Sequence, residues 1–333
     1  MTAPRLLALL AVLTLAAMTF RIFAGREAPA LEERTRVTPV MGTFATCIVV
    51  APPGLGEPVL DAMDSLARHL DRELSFFSED GELHRLNASG AGAFSAMSPH
   101  LRGVLETSLG VAAATDSLFD PSLGALVLLW DFAGTPSVPP DSLLEQALSV
   151  SGLSRLETDG DSLRLAPGML IDLGAMAPGY ASDALYDLAL SRGAVAALVE
   201  IGGEVRCGGE PSAGRTWTVA IRDPRNGGVL EVMELEEGAV ATSGDYESCF
   251  FDDSGTRLCH ILDPGTGRPE TGVASATVVA RACGRADALA TALCVGGIPL
   301  AERLPDSLFR EILLITRDGD GGTSLWRRRS AAG

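Results

Sequence analysis

Val199-Glu200-Ile201-Gly202-Gly203-Glu204-Val205 reads as a strand, a Gly-Gly kink and a second strand. Glycine inside a strand pattern marks a bulge, a tight turn, or a place where a ligand comes close to the backbone. A plain bulge or turn is the simplest of the three. The stretch belongs to a strand-rich half of the chain. Runs at 196–201, 204–207, 216–222, 230–235, 239–243, 246–252, 256–262 and 275–280 have strand composition. A helix over about 285–295 interrupts them, and a strand over 311–316 closes the series. Upstream, residues 37–50 end in Cys-Ile-Val-Val and read as a strand, and 162–173 as two short strands around Ala166-Pro167-Gly168. Val59, Leu60, Met63, Leu66, Ala67, Leu70 and Leu74 recur with a helical period. Ser98-Pro99 is a cap followed by a first-turn proline, opening a second helix with Leu101, Val104, Leu105 and Leu109. Asp141 opens a short third helix, and 180–192 is a fourth, stopped by Gly193. Strands and helices do not alternate regularly. The pattern therefore predicts an α+β fold, a single large domain with mainly antiparallel sheets and flanking helices, over a doubly wound one.

The chain has 333 residues, 47% hydrophobic and 21% charged, with a formal net charge of −17. This composition supports a sizeable core and argues against disorder. Every basic residue is arginine, which excludes Schiff-base chemistry on lysine. A chain this acidic is a poor general binder of nucleic acid, because phosphate contacts need clustered Lys and Arg. Residues 1–25 read as a signal peptide or membrane anchor: Arg5 precedes an apolar run from Leu6 to Phe20. That run places the rest of the chain outside the cytoplasm, on the periplasmic or cell-envelope side. Residues 26–36 read as a solvated linker and 37–333 as one large domain. The six cysteines, Cys47, Cys207, Cys249, Cys259, Cys283 and Cys294, lack the paired spacing of a zinc site. Cys249 and Cys259 flank the turn-like Asp252-Asp253-Ser254-Gly255, where a hairpin would set them opposite each other. A cross-strand disulfide and two unpaired small core residues both fit that pattern.

Three further segments could carry chemistry. In 286–293, Asp287 and Thr291 stand four apart and share a helix face. A carboxylate and a hydroxyl are hard oxygen ligands. They suit Mg²⁺, which keeps waters and takes other ligands from substrate phosphates. The same spacing also describes an exposed first-turn acid followed by a helix filler. In 171–180 an apolar strand runs through Asp172 and Gly174 into a helix. Such a turn can present carbonyls to a metal or N–H groups to a phosphate, and Asp172 could accept hydrogen bonds from a ligand ring. An ordinary strand-to-helix turn has the same composition. His260 ends a strand beside the Asp263-Pro264-Gly265 turn. It could serve as general base on a hydroxyl, or as a hydrogen-bonded structural histidine.

Taken together and in this order, these segments resemble the ApbE family, the FAD:protein FMN transferases. The likeness runs through Met41-Gly42-Thr43-Phe44, Ser75-Phe76-Phe77, 119–124, 128–132, 171–183, 199–204, 239–246, 260–267 and 286–293. It covers nearly everything after residue 36. The resemblance implies an α+β domain that binds FAD in a cleft, cleaves its diphosphate and leaves FMN phosphoester-linked to Thr or Ser of a target flavoprotein, releasing AMP. Electron-transport subunits are the family's usual acceptors. By match of motif, Met41, Phe77, Leu118, Phe119, Asp120, Asp172 and Leu262 would line the FAD site. Asp287, Thr291 and the Ala175 carbonyl would hold Mg²⁺, and His260 would assist the acceptor hydroxyl. The chain departs from the family pattern at Pro178, a FAD-contact position where a polar or charged residue is common. It departs again at Ala290, where some members carry a second Asp. Two other functions remain compatible with these residues: an FAD pyrophosphatase that uses water as acceptor, and a non-enzymatic FAD-binding protein.

Overall fold

The computed structural model describes residues 30–89, 93–212, 214–318 and 322–331. The targeting segment expected over 1–25 lies outside these residues. Among them, no helix is long and apolar enough to cross a membrane.

Eight strands form one antiparallel sheet in the order β1-β2-β6-β7-β10-β13-β14-β15. They are β1 (Glu32–Val40), β2 (Thr43–Ala51), β6 (Ala196–Ile201), β7 (Glu204–Gly208), β10 (Glu237–Gly244), β13 (Val273–Ala280), β14 (Glu311–Arg317) and β15 (Thr323–Arg329). The remaining strands make small sheets: β3 (Ser95–Ala96), β4 (Leu156–Asp159) and β5 (Ser162–Leu165); the hairpin β8 (Trp217–Arg222) with β9 (Val229–Leu235); and the hairpin β11 (Cys249–Phe251) with β12 (Arg257–Cys259). Among the described residues seven α-helices complete the fold: α1 (Gly56–Leu74), α2 (Glu82–Ala88), α3 (Pro99–Ala114), α4 (Gly124–Trp130), α5 (Asp141–Val150), α6 (Ala177–Ser191) and α7 (Cys283–Arg303).

The α+β architecture anticipated from the sequence is therefore present, with local differences. The 37–50 run is a hairpin rather than one strand, and β1 already begins at Glu32, inside the expected linker. Its charged residues decorate an exposed edge strand, a common defence against edge-to-edge pairing. Arg36 reaches Glu57 and Asp61 on α1 at 2.8 and 2.6 Å. Of 162–173, only Ser162–Leu165 is a strand, and it pairs with Leu156–Asp159. The stretch near 170 instead makes a single parallel bridge, Leu123 to Leu170. The arginine-rich β15 has no apolar run to announce it, yet it pairs with β14 along its whole length.

The core sits between the sheet and the helices. α7 packs on β10 and β13 and against α6 and α3. Ala286, Ala288, Leu289, Ala290, Ala292 and Leu293 are all fully buried, and a helix apolar on every side belongs in the interior. α1 buries Val59, Leu60, Met63, Ala67, Leu70 and Leu74 against α6 and the β1–β2 hairpin. The other face of the sheet is covered by the β8–β9 hairpin through Trp217, Val219 and Leu235. A satellite cluster joins α4 and α5 to the β11–β12 hairpin through Leu126, Trp130, Leu144, Leu262 and Phe250. Trp130 Nε1 donates to the Gly267 carbonyl at 2.8 Å, so this large side chain buries no unpaired polar atom.

α6 and α7 approach so closely that no side chain fits at the crossing. A Cβ on Gly179 would stand 2.7 Å from the Cys283 carbonyl oxygen and 2.8 Å from Asp287 Cβ. Gly179→Ala should therefore force the helices apart and destabilise the domain by about 1–3 kcal/mol, as overpacking of a tight core does. Urea unfolding of the variant measures this, and unchanged stability would mean the crossing is not tight.

Candidate functional site

Strand register collects several chain reversals at one end of the large sheet. Val40 pairs with Thr43 across the Met41-Gly42 turn, Ala45 with Ile201, Ile201 with Glu204 across the Gly202-Gly203 turn, and Gly244 with Ser275. Met41 has φ 51° and Gly42 φ 71°, the double left-handed turn that two-residue hairpins favour. For a methionine that conformation costs roughly 1–2 kcal/mol. Asp71 on α1 secures it by accepting the Met41 N–H at 2.9 Å.

Onto this end come the first turns of α6 and α7, and each helix caps the other. Asp287 on α7 accepts the N–H of Gly179, the third residue of α6, at 3.1 Å through Oδ2. Asp183 on α6 accepts the N–H groups of Cys283 and Gly284, the first two residues of α7, at 2.8 and 3.0 Å. Neither Met176 nor Ala282, the residues ahead of these helices, offers a side-chain cap. One turn beyond Asp287, Thr291 Oγ1 lies 3.1 Å from Ser243 Oγ at the end of β10. Pro178 takes the second position of α6, where a missing N–H is not needed by the helix.

A second group surrounds Asp120 and Asp172. The Asp172 N–H donates to the Pro121 carbonyl at 2.8 Å, and Asn87 holds the Ile171 backbone through both ends of its amide, each bond 2.8 Å. Asp120 accepts from Ser122 N and Oγ, and Asp172 accepts from Gly174 N. Burial raises the pKa of both carboxyls, and those hydrogen bonds oppose the rise. Leu118 lies against Gly296 of α7, where a Cβ would meet its Cδ1 at 2.8 Å. Phe119 and Leu262 bury their side chains in the core, leaving backbone as what they can offer a ligand. Phe77 is 63% exposed and stands edge-to-face on Phe76 at 5.2 Å. Ala175 is exposed, two residues ahead of α6.

His260 follows β12. Its Nδ1 lies 3.3 Å from the Ser248 carbonyl oxygen. A carbonyl only accepts, so the proton sits on Nδ1 and the Nε2 lone pair is left for a base. Among the described residues no hydrogen bond links His260 to Asp287 or Thr291, so the histidine and the oxygen pair stand as separate elements. Cys249 and Cys259 face each other in the β11–β12 register, and all six cysteines are free.

The helix-crossing end is electrostatically strained. Asp287 is 5% exposed and Glu204 8% exposed. Burial first, and then neighbouring carboxylates, hold both well above the ordinary carboxyl range. Asp287 Oδ1 receives no hydrogen bond from a described residue. With the Thr291 hydroxyl one turn away, that oxygen suits a hard divalent cation. Among the described residues no three His, Cys, Asp or Glu side chains converge to hold a metal by themselves. A cation here would therefore take the rest of its shell from hydroxyl, carbonyl, water or ligand oxygens. Asp183, Asp71, Asn87, Ser243 and Glu204 were given no role from sequence. Glu204 alone left a signal, an acid in the five-residue, fully buried strand β7.

Comparison with known proteins bears on these groups together. The model of the ApbE family matches residues 41–312. The FAD:protein FMN transferase of Vibrio cholerae is 32% identical over 309 residues, spanning 90% of this chain and 92% of that one. That of Escherichia coli K12 is 30% identical over 88% of each. The crystal structure of the ApbE protein of Thermotoga maritima superposes with a TM-score of 0.81 at 31% identity, covering 90% of this chain and 98% of that chain.

His260 presents surface to solvent, yet the protein packed around its ring lowers its pKa from the ordinary 6.5, against the pull of the Ser248 carbonyl. An NMR titration should accordingly give His260 a value below 6.5. A value at or above it would mean that the ring is not desolvated.

Proposed function

The chain belongs to the ApbE family, and from that premise we propose the reaction it performs: transfer of FMN from FAD to a Thr or Ser hydroxyl of a partner flavoprotein, with release of AMP. The observation that carries this reading is the buried Asp287 carboxylate, with one oxygen free, one turn from the Thr291 hydroxyl. It is the only charge in a helix stretch of Ala, Leu and Thr, 286–293, and a buried charge in such a place calls for a functional partner.

In this reading the acceptor hydroxyl attacks the FAD phosphorus that carries the riboflavin. The bond from that phosphorus to the bridging oxygen breaks, and AMP leaves with that oxygen. His260 Nε2 takes the hydroxyl proton, a role its depressed pKa suits because the ring is neutral at pH 7. Asp287, Thr291 and the Ala175 carbonyl would hold Mg²⁺. When bound, the ion would offset the diphosphate charge that an acidic protein repels and stabilise charge on the transferring phosphoryl group. Met41 and Phe77 would pack on the flat isoalloxazine, and Leu118, Phe119, Asp120, Asp172 and Leu262 would line the rest of the FAD site. Pro178 would offer FAD no side-chain hydrogen bond. We further propose that the chain acts outside the cytoplasm, held by the apolar segment behind Arg5, on an electron-transport subunit as acceptor.

Co-expression with an acceptor and in-gel flavin fluorescence tests the transfer. Asp287→Asn should lower the rate by on the order of 10³-fold, since metal stabilisation of the transferring group is worth several kcal/mol. Full activity in that variant would remove Asp287 from the cation site. With His260 as base, the rate should fall as pH drops through a value below 6.5. His260→Gln should be slower by roughly 10²–10⁴-fold and lose that acid limb. Rapid AMP release from FAD without an acceptor would instead point to a pyrophosphatase. Bound FAD left intact with acceptor present would point to a carrier.

A further inference from the structure

Glu204 begins β7, directly after the Gly202-Gly203 turn. Strand alternation puts it on the same face as Arg206, the face that packs against the helices. The two residues are equally buried, at 8% exposure, but only Arg206 pairs with other side chains. Arg206 donates to the Cys207 and Gly238 carbonyls, pairs with Asp183 and Glu237, and lies 4.0 Å above the Tyr186 ring. The Glu204 carboxylate accepts from its own backbone N–H and forms no hydrogen bond or ion pair with any other described residue. Its Ser182 contact goes through the backbone carbonyl, at 3.2 Å. Such a group is costly to bury without a counter-charge or a hydrogen-bond donor.

The position of the carboxylate shows where that counterpart belongs. Oε2 lies beneath the kink, 3.1 Å from where a Gly202 Cβ would be, and Thr43 closes the other side of that point at 3.2 Å. Thr43 follows the Met41-Gly42 turn, so the acid lies at the sheet end where the candidate site is built. The charged group acting on it most strongly is Asp287, and Glu247 at the surface is next. Both add to the negative potential at Glu204, and Arg222 offsets that of Glu247. Arg206, the nearest guanidinium on the strand, is committed to Asp183 and Glu237.

We propose that Glu204 is a further member of the cation site, accepting a hydrogen bond from a water on the ion that Asp287 and Thr291 bind directly. This rests on the proposed cation site. The indirect mode follows from the lack, among the described residues, of any converging set of three acidic, histidine or cysteine ligands. It also follows from the reluctance of Mg²⁺ to give up its waters. Glu204 is a positioning residue in this account: it orients the hydrated ion and adds negative potential, and it does not touch FAD phosphorus. The Gly-Gly kink then has a physical purpose, since a side chain at Gly202 would meet the carboxylate.

Mn²⁺ titrated onto the full-length protein and followed by electron paramagnetic resonance tests this without any turnover. Glu204→Gln should weaken Mn²⁺ binding by about ten-fold or more, the usual cost of losing an outer partner of a metal site. Its metal-free Tm should stay level or rise, because one repelling acid has been neutralised. A purely structural role would lower the Tm and leave the Mn²⁺ affinity alone, and affinity within two-fold of wild type overturns the proposal. If Glu204→Gln does not fold, Glu204→Asp keeps the charge and withdraws it by one methylene, and the same weakening is required of it. Asp287→Asn separates this inference from the reading beneath it. Loss of Mn²⁺ there, with none in the Glu204 variants, overturns only the part given to Glu204. Retention there, or a wild-type protein that binds no Mn²⁺, overturns the cation site itself.

Discussion

The reciprocal capping of α6 and α7 is the constraint on which the rest of the arrangement depends. Asp287 of one helix closes the open N–H of Gly179, and Asp183 of the other closes those of Cys283 and Gly284. Open N–H groups at a helix start need acceptors, and the positive end of the helix dipole favours carboxylates there. The exchange is possible only because Gly179 and Gly284 let the two backbones approach without side chains between them. It fixes the Asp287 carboxylate by one oxygen and leaves the other one unengaged. The same bond that orders the fold therefore aims the group with which the proposed chemistry begins.

Around that crossing, the sheet supplies position and the turns supply access. The antiparallel register brings the Met41-Gly42 turn, the Gly202-Gly203 turn and the end of β10 to one edge. Thr291 is held by Ser243 from that edge, one helical turn from Asp287. The satellite cluster around Trp130 anchors the separate hairpin that leads into His260. Acid groups are concentrated where the helices cross, and burial raises the pKa values of Asp287 and Glu204 there.

Much of this was legible from residues alone, where local rules decide. Ser98-Pro99 forms the cap it advertises, with Ser98 accepting the Leu101 N–H, and Val59 through Leu74 form the buried stripe of α1. The Cys249–Cys259 register follows from the turn between them. Boundaries failed where charge hid a strand, as in Glu32–Arg36 and β15, because edge strands do not need apolar runs on both faces. The second strand expected in 162–173 failed for a different reason. Asn87, some 80 residues upstream, takes both backbone groups of Ile171 and leaves them unavailable to a neighbouring strand.

The sequence by itself determined the mixed α+β class, the family, and the residue types able to offer oxygen ligands and a base. Those depend on period, composition and short spacings, which are properties of neighbouring residues. Only the tertiary structure decided that Asp183 caps a helix a hundred residues away, that Asp71 restrains Met41, and that Glu204 is enclosed without another side chain to pair with. Each of these is a relation between side chains far apart in sequence. A carboxylate's solvation and its partners do not exist until the strands and helices that enclose it have packed, so no local pattern can announce them.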